Sequence, residues 1–463
     1  MNSITKSLLS AALLSVVSIP TYAHDYDWPL YKRAIAAGYK GVFTCGGVFN
    51  GGKSLDKIKA DELTGIRPEL QEIVNSLPEA VIDYTNKTVA IKYDEKLPPR
   101  LWWYRGRLGC VQMPVGTTVN DIKYMPTITL PPLSNRGTSW PNGDPKDIQT
   151  SSNKALNTVI KAAFNGSKYN TNKPGQKTTA ILISTPTKLI AETYRSDYTP
   201  WTSQRTWSTA KSIAASVIGI AVKDGLIDLK EPVQIPEWQS PGDPRRAITL
   251  ENLIHMGSGL FSTRAGNRTD KVYWGGNRVT DTAVHQPLET TPGKRWKYAN
   301  NDTMLLTRAL RAAQGDHVEK HLAYPYLNLF DKIGMYHTVP ESDWGGNFIM
   351  SSQVWTTSRD LARLGILYLQ DGQWGDEQIL PKGWASYVAH PAPAQPEGRD
   401  IGYGAQFWLY PGLGYASRGN RGQIMLMLPQ HNLLIVRRGY DSATGGRFDM
   451  ATFAKDILKA LDK

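Results

Sequence analysis

The stretch that most constrains the fold runs from residue 207 to residue 227, WSTAKSIAASVIGIAVKDGLI. Its apolar side chains fall on nearly every face of a predicted helix, and a helix of that kind is buried inside a large core. The apolar positions are Ile213, Ala214, Val217, Ile218, Ile220, Ala221 and Val222. The sequence therefore predicts a fold built around one central helix.

Ser208 and Lys211 form an S-x-x-K pattern in the first turn of that helix. Residues three apart share a helix face, so a neutral lysine there can take the serine proton and make the oxygen a nucleophile. Burial lowers a lysine pKa, as a base requires, and the helix start favours developing negative charge. The pattern also occurs at Ser3, Ser54 and Ser151. Locally, a helix-capping serine beside a lysine that reaches solvent fits equally well.

The segments around the central helix predict an α+β fold with one antiparallel sheet and flanking helices. A helix and two strands are predicted before it, more helices follow it, and two strands and a last helix are predicted near the C-terminus. Pro, Gly, Asn and Ser cluster in residues 130–147, which is typical of a linker. We therefore divide the chain into an N-terminal extension at 24–133, a linker at 134–150 and a main domain at 151–463.

The first 23 residues have the pattern of a secretory signal peptide that is removed. Lys6 supplies a positive charge, residues 8–19 form an apolar run too short to span a bilayer comfortably, and Ala23 precedes the expected cleavage site. No later stretch is apolar enough to span a membrane. We therefore expect an exported protein, either periplasmic or secreted.

The chain has two cysteines, Cys45 and Cys110. In an oxidising compartment, a pair of this kind favours a disulfide over two free thiols. Two buried free cysteines are the alternative that the sequence leaves open.

Residues 47–54, GVFNGGKS, fit the phosphate-loop pattern, with Lys53 as the lysine of that pattern. A phosphate loop requires a buried strand before it and a sturdy helix after it. The preceding apolar stretch is short, and the segment that follows is weakly apolar. We therefore interpret these residues as a glycine-rich structural turn that binds no nucleotide.

The net charge of +12 raises the question of nucleic-acid binding. Lysine and arginine are scattered, with no run or stripe that would follow a phosphate backbone, so we expect no nucleic-acid partner. No metal or cofactor motif is evident either. The oligomeric state is not readable from the sequence.

Several blocks after the central helix carry a resemblance to a known family. The blocks are, in order along the chain, ITLENLIHMGSGL, TTPGKRWKYANNDTMLLTRAL, DKIGM and TTSRDLARLGILYLQDGQW. In this order they resemble serine hydrolases related to class C β-lactamases and D-alanyl-D-alanine peptidases, over roughly residues 150–460. The resemblance implies a β-lactamase/transpeptidase-like fold, in which an antiparallel sheet and its helices accompany a mostly helical subdomain.

The resemblance assigns roles to residues that match the family motifs. Ser208 and Lys211 correspond to the nucleophile and its lysine, and Tyr298-Ala299-Asn300 corresponds to the family's Y-x-N. The family's tyrosine exchanges protons with the serine and the leaving group, and its asparagine holds the lysine or the substrate.

The third family motif, usually K-T-G or H-x-G, corresponds to Ser417-Arg418-Gly419. The family implies an oxyanion hole made by the backbone N–H groups of Asn420 and of the nucleophile. The usual lysine is absent, which argues against β-lactam turnover, and G-x-x-G-Q resembles the branch of 6-aminohexanoate-dimer hydrolases and related esterases. Arg418 and Arg421 are candidates for binding a substrate carboxylate. An equally good alternative is that each is an exposed arginine at the end of a strand, without a role in binding.

The resemblance implies a serine hydrolase that cleaves an ester or amide of a small molecule through an acyl-enzyme, without a cofactor, and the N-terminal pattern predicts that it is exported. The alternatives are a non-catalytic or weakly active penicillin-binding-like envelope protein that binds peptidoglycan, and a true β-lactamase or D-amino-acid peptidase.

Overall fold

The computed structural model describes residues 28–165, 168–171, 175–262, 272, 276 and 278–462. The predicted signal peptide at 1–23 lies outside the described residues. Among the helices that are described, none is long and apolar enough to cross a membrane.

The N-terminal extension folds as helices on a small antiparallel sheet. In this part of the chain the described strands pair in the order β1-β2-β3-β4, and residues 84–87 form the turn between β1 and β2. Trp102 of β3 lies so close to α1 that a Cβ on Gly41 would be 2.2 Å from its ring. The elements are α1 (Trp28–Cys45), α2 (Leu55–Asp61), α3 (Pro68–Ser76), β1 (Val81–Asp83), β2 (Thr88–Ile91), β3 (Arg100–Tyr104) and β4 (Cys110–Gln112).

A disulfide joins Cys45, the last residue of α1, to Cys110, the first residue of β4. The predicted pairing of the two cysteines is therefore confirmed. The bond links the long first helix to the edge strand of the sheet, so it fixes the two layers of the N-terminal extension against each other.

Residues 134–150, the predicted linker, contain no helix or strand. They follow the surface of the main domain and are held there by buried arginines. Arg363 donates to the carbonyl oxygens of Pro141 and Gly143, at 2.8 and 2.9 Å.

The helices of the main domain lie on both faces of its sheet, and the central helix α5 lies in the core on one of them. Every residue of α5 from Ala210 to Ala221 is buried, as its all-round apolar pattern predicts. The helices are α4 (Lys154–Phe164), α5 (Ala210–Lys223), α6 (Leu250–Ile254), α7 (Val279–Val284), α8 (Asn300–Ala313), α9 (Val318–Pro325), α10 (Asp331–Ile333), α11 (Ser358–Leu369), α12 (Trp384–Ala389) and α13 (Met450–Leu461).

The main sheet is antiparallel throughout, and in the described part of the chain its order is β12-β13-β14-β15-β16-β5-β6. A smaller sheet has the order β7-β9-β8, and β10 pairs with β11. The strands are β5 (Thr178–Ser184), β6 (Leu189–Tyr194), β7 (Gln204–Arg205), β8 (Val339–Pro340), β9 (Val354–Thr356), β10 (Gln373–Trp374), β11 (Glu377–Gln378), β12 (Gly402–Tyr403), β13 (Trp408–Tyr410), β14 (Gly414–Gly419), β15 (Gln423–Leu428) and β16 (Leu433–Gly439).

Both faces of the main sheet are covered. Ile181 and Ile183 of β5 pack with residues of α4 and α13, whereas Leu182 between them packs into the core that contains α5 and α11. Alternate strand residues point to opposite faces, so a strand buried on both faces reads as a continuous apolar run. The predicted α+β, β-lactamase/transpeptidase-like architecture is confirmed.

Candidate active site

Ser208 lies in a short 3-10 turn, Trp207–Thr209, that leads directly into α5. Trp207 has a φ of 49°, in the left-handed region that a bulky residue rarely adopts. Backbone strain of this kind persists only where the surroundings fix it. Here Thr206 donates its backbone N–H to the carbonyl of Val354 at 2.8 Å, and the Arg205 guanidinium lies 4.0 Å from the Trp207 ring centroid.

Lys211 is buried one turn after Ser208, with its side-chain amine directed to oxygen atoms. The amine donates to Asn300 Oδ1 at 2.5 Å and to the Ser351 carbonyl at 2.7 Å, and it lies 3.4 Å from Ser208 Oγ. Burial lowers the pKa of Lys211 to about 7, and the negative charge of Asp302 opposes that change. A large share of the amine is therefore neutral near pH 7, which is the form that accepts a proton.

Asp302 lies in the first turn of α8, four residues after Tyr298, and is buried. Burial raises the pKa of its carboxyl to about 7, although two hydrogen bonds from Ser258 favour the charged form. Ser258 Oγ donates to Asp302 Oδ1 at 2.8 Å, and the Ser258 backbone N–H donates to Oδ2 at 3.2 Å. The Asp302 carboxyl acts on Lys211 electrostatically, because its negative charge favours the protonated amine.

Tyr298 shares a hydrogen bond with Ser208, and the amine of Lys211 lies 5.0 Å from the centroid of its ring. Burial raises the pKa of Tyr298 to about 12, while the bond to Ser208 and the charges of Arg418 and Arg399 lower it in part. The phenol is therefore protonated at neutral pH. Of the two groups beside Ser208, Lys211 can act as base and Tyr298 can donate a proton.

Gly419 brings the end of β14 against the turn that carries Ser208. A Cβ on Gly419 would lie 2.1 Å from the carbonyl oxygen of Thr206 and 3.1 Å from the backbone nitrogen of Thr209. Any larger residue would therefore push the strand away. Asn420 follows in a tight turn and lines the same cavity as Ser208.

Ser417 and Arg418 lie near the end of β14, just before Gly419. Ser417 is buried, and its hydroxyl has no hydrogen-bond partner among the described residues. The Arg418 guanidinium lies 5.9 Å from the Trp408 ring centroid and 5.8 Å from that of Tyr410. Arg418 is half-buried in the wall of the cavity.

Arg421 was expected to be able to bind a substrate carboxylate, but its guanidinium is used otherwise. All three of its nitrogens donate to backbone carbonyls, which belong to Glu62, Thr64, Tyr440 and Asp441. The side chain is buried, with 5% of its surface exposed. Arg421 therefore belongs to the framework of the site, and Arg418 is the candidate of the two for contact with a substrate.

The cavity in front of Ser208 has a volume of about 900 Å³ and a cationic lining. Its basic residues are Lys294, Arg295, Lys297, Arg399, Arg418, Arg421 and Arg447. The acidic ones are Glu397 and Asp441, of which Asp441 is ion-paired with Arg437. The lining therefore favours a substrate that carries negative charge.

Several residues of the site were not predicted from the sequence. Trp408 packs on Tyr298, with ring centroids 5.6 Å apart, and the Arg399 guanidinium lies 5.3 Å from the Trp408 ring centroid. The Ser351 carbonyl accepts a hydrogen bond from Lys211, and Ser258 donates two hydrogen bonds to Asp302. Only Ser258 lies in a block that had been singled out, HMGSGL, and no feature of the sequence distinguished the others.

The site contains no evident place for a metal. Within the described residues, no three His, Cys, Asp or Glu side chains gather where they could hold an ion.

A Ser–Lys–Tyr group at the start of a central helix, beside an antiparallel sheet covered on both faces, defines the β-lactamase/transpeptidase-like class of proteins. The chain belongs to the beta-lactamase family, because the family model described as Beta-lactamase matches residues 174–437.

The chain is also similar to individual hydrolases. The 6-aminohexanoate-dimer hydrolase of Paenarthrobacter ureafaciens is 24% identical over 226 residues, which are 46% of this chain and 57% of that protein. A provisionally named 6-aminohexanoate-dimer hydrolase from Bacillus anthracis has a TM-score of 0.53 and 19% identity, over 63% of this chain and 79% of its own. A family VIII carboxylesterase has a TM-score of 0.50 and 14% identity, over 68% and 98%. These structural likenesses concern the fold alone.

Proposed function

We propose that the protein is a serine hydrolase that cleaves an ester or a linear amide through an acyl-enzyme. The observation that carries the proposal is the environment of Ser208. A buried amine with a pKa lowered to about 7 lies 3.4 Å from its oxygen, and a protonated phenol shares a hydrogen bond with it. A neutral base and a proton donor at one nucleophile are what acyl transfer requires.

The reaction proceeds in two halves. Ser208 Oγ attacks the carbonyl carbon while the Lys211 amine accepts the hydroxyl proton. The N–H groups of Ser208 and Asn420 stabilise the oxyanion, and Tyr298 donates a proton to the departing alcohol or amine. Water then attacks the acyl group, gives up its proton through the same residues, and releases the acid and free Ser208.

The cationic cavity supports a substrate with a carboxylate at some distance from the reacting carbonyl. Ser417 stands where β-lactam-acting relatives carry a cation, and the nearest positive side chain of the motif, Arg418, lies over Trp408. A charge-assisted hydrogen bond from such a cation to the β-lactam carboxylate is worth roughly 1.5–3 kcal/mol. Its absence should therefore lower the rate on a β-lactam by on the order of tenfold to hundredfold. Both relatives named for an aminohexanoate dimer, and the carboxylesterase, bear names that fit a linear amide or an ester.

Steady-state kinetics tests this function. Short acyl esters and aminoalkanoate dimers should give a much larger kcat/KM than a chromogenic cephalosporin, and Ser208→Ala should abolish turnover of all of them. Arg418→Ala should lower kcat/KM for the carboxylate-bearing substrates and leave a neutral ester unchanged. A cephalosporin that proves to be the best substrate would contradict the proposed specificity, and full activity in Ser208→Ala would contradict the mechanism.

We also propose that the protein is exported after removal of residues 1–23. The N-terminal pattern motivates the proposal, and the disulfide between Cys45 and Cys110 supports an oxidising compartment. N-terminal sequencing of the protein from a periplasmic or culture fraction should begin at His24. Protein found only in the cytoplasm with Met1 retained would contradict it.

A further inference from the structure

The N-terminal extension contacts both turns that form the candidate active site. The first contact is at the nucleophile turn, where Phe43 of α1 packs on Trp207 with ring centroids 5.5 Å apart. The Arg205 guanidinium lies 4.6 Å from the Phe43 ring centroid and 4.0 Å from that of Trp207. The aromatic ring of the extension thus helps to hold the residue before Ser208 in its left-handed conformation.

The second contact is at the turn between β14 and β15, which carries Asn420. Arg421 in this turn has a φ of 60°. It donates to Glu62 O at 3.1 Å and to Thr64 O at 2.7 Å, both in the N-terminal extension. The backbone N–H of Asp441 returns a hydrogen bond to Arg421 O at 3.2 Å. A non-glycine residue in this region is unfavourable by itself, so these bonds are what hold the turn.

The extension residues that accept from Arg421 are themselves fixed. The Glu62 carboxylate is buried and accepts from Lys53 Nζ and from Tyr440 Oη, both at 2.6 Å. The Gly65 carbonyl accepts from the Ala443 backbone N–H at 2.9 Å. Residues 62–65 are therefore bonded to the segment that follows β16, through the main chain at Gly65 and through the side chain of Glu62.

We propose that the N-terminal extension sets the geometry of the oxyanion hole and that Arg421 is the positioning residue through which it acts. This inference rests on the proposed acyl transfer, in which the Asn420 N–H stabilises the oxyanion. Gly419 fixes the turn on one side by its close approach to Thr206, and Arg421 fixes it on the other. Displacement of a catalytic group by about 1 Å lowers a rate by up to about a hundredfold.

A positioning role and a purely structural role predict different kinetics. An oxyanion donor acts on the transition state, so its displacement lowers kcat and leaves KM nearly unchanged. It also weakens a boronic acid, whose tetrahedral adduct with serine places an oxygen in the same hole. A purely structural contact changes the yield and melting temperature of the protein but not kcat per correctly folded molecule.

The test compares Arg421→Asn with the wild type, after counting active sites with a fluorophosphonate. Asparagine tolerates positive φ, so the variant removes the guanidinium without adding backbone strain. We expect kcat on a neutral ester to fall about tenfold to hundredfold with KM changed by less than about threefold. The inhibition constant of the boronic acid should rise by the same factor as kcat falls.

Arg100→Gln is the matched control. Arg100 is a buried arginine of the same extension that donates to Ala34 O at 2.8 Å, within the extension itself. This variant should lower the melting temperature and leave kcat per active site unchanged. Arg421→Lys, which keeps the charge and one donor group, should lose less kcat than Arg421→Asn, and it serves as the test if Arg421→Asn does not fold.

Unchanged kcat and boronate inhibition in a folded Arg421 variant would overturn the inference while leaving the proposed function intact. A wild-type protein that neither hydrolyses esters nor reacts with the fluorophosphonate would instead contradict the proposed function. The two failures are therefore distinguishable.

Discussion

Lys53 and Lys211 are both buried lysines, with 5% and 1% of their surfaces exposed, and they have different partners. Lys53 Nζ donates to the Glu62 carboxylate at 2.6 Å and to Tyr440 Oη at 2.5 Å. Among the described residues, the hydrogen-bond partners of Lys211 Nζ are neutral oxygen atoms, from a hydroxyl, an amide and a carbonyl. Burial alone therefore does not identify a catalytic lysine, since its immediate partners decide what it can do.

The comparison also explains the two sequence patterns in which these lysines occur. Lys53 is the lysine of a stretch that fits the phosphate-loop pattern, yet a helix precedes this stretch, because α1 continues as a π-helical turn over Gly46–Asn50. A phosphate loop follows a strand. The side chain of Lys53 is already bound to a carboxylate, which supports the interpretation of the stretch as a structural turn that binds no nucleotide.

The largest effect is expected from Lys211→Met. Loss of the base should lower kcat by about a hundredfold to ten-thousandfold. Stability at pH 7 should not fall, because burial lowers the Lys211 pKa from the ordinary 10.5 to about 7, so the folded state is destabilised as pH drops through that interval. Lys223→Met, in the last turn of the same helix and exposed, is the control. A folded Lys211→Met variant with a kcat close to that of Lys223→Met would contradict the role of Lys211 as the base.

Lys53→Met should have the opposite result. It leaves the buried Glu62 carboxylate without its cation, and the loss of one partner of a buried pair costs about 3–5 kcal/mol of unfolding free energy. Lys57→Met, which breaks the more exposed pair with Asp197, should cost less than about 1 kcal/mol. Denaturant titration of both variants measures the difference. Equal losses would show that the Lys53–Glu62 pair is no stronger than a surface pair.

A smaller effect is expected on the pH dependence of kcat/KM. Activity on a neutral ester should rise as pH increases through about 7 and then level off, because the Lys211 amine must lose its proton. Asp302 favours the protonated amine, so Asp302→Asn should move the midpoint to lower pH. Glu319→Gln, at an exposed position, should leave it in place. A midpoint that moves to higher pH in Asp302→Asn would contradict the assignment of Lys211 as the base.

The sequence predicts the parts of the molecule that depend on local pattern. The all-round apolar run identifies α5 as central. The order of the later blocks identifies the family and singles out Tyr298 and Asn300, which the structure places beside Ser208 and Lys211, respectively. The two cysteines, in a chain with an export pattern, predict the disulfide correctly.

The sequence does not predict contacts between residues far apart in the chain. Arg421 meets Glu62 across 359 positions, and Lys53 meets Tyr440 across 387. Nothing near Arg421 distinguishes a guanidinium that binds carbonyls from one that binds a substrate. The positive φ of Trp207 is equally unpredictable, since glycine or asparagine is the usual sign of that conformation.

The central claim is that Ser208 forms an acyl-enzyme, and trapping that species tests it most directly. A slowly deacylated ester is mixed with the enzyme, the reaction is quenched in acid, and the intact mass and proteolytic peptides are measured. The account predicts a mass increase equal to the acyl group on the peptide containing Ser208, and none in Ser208→Ala. An acyl group on another residue, or turnover in Ser208→Ala at the wild-type rate, would contradict it.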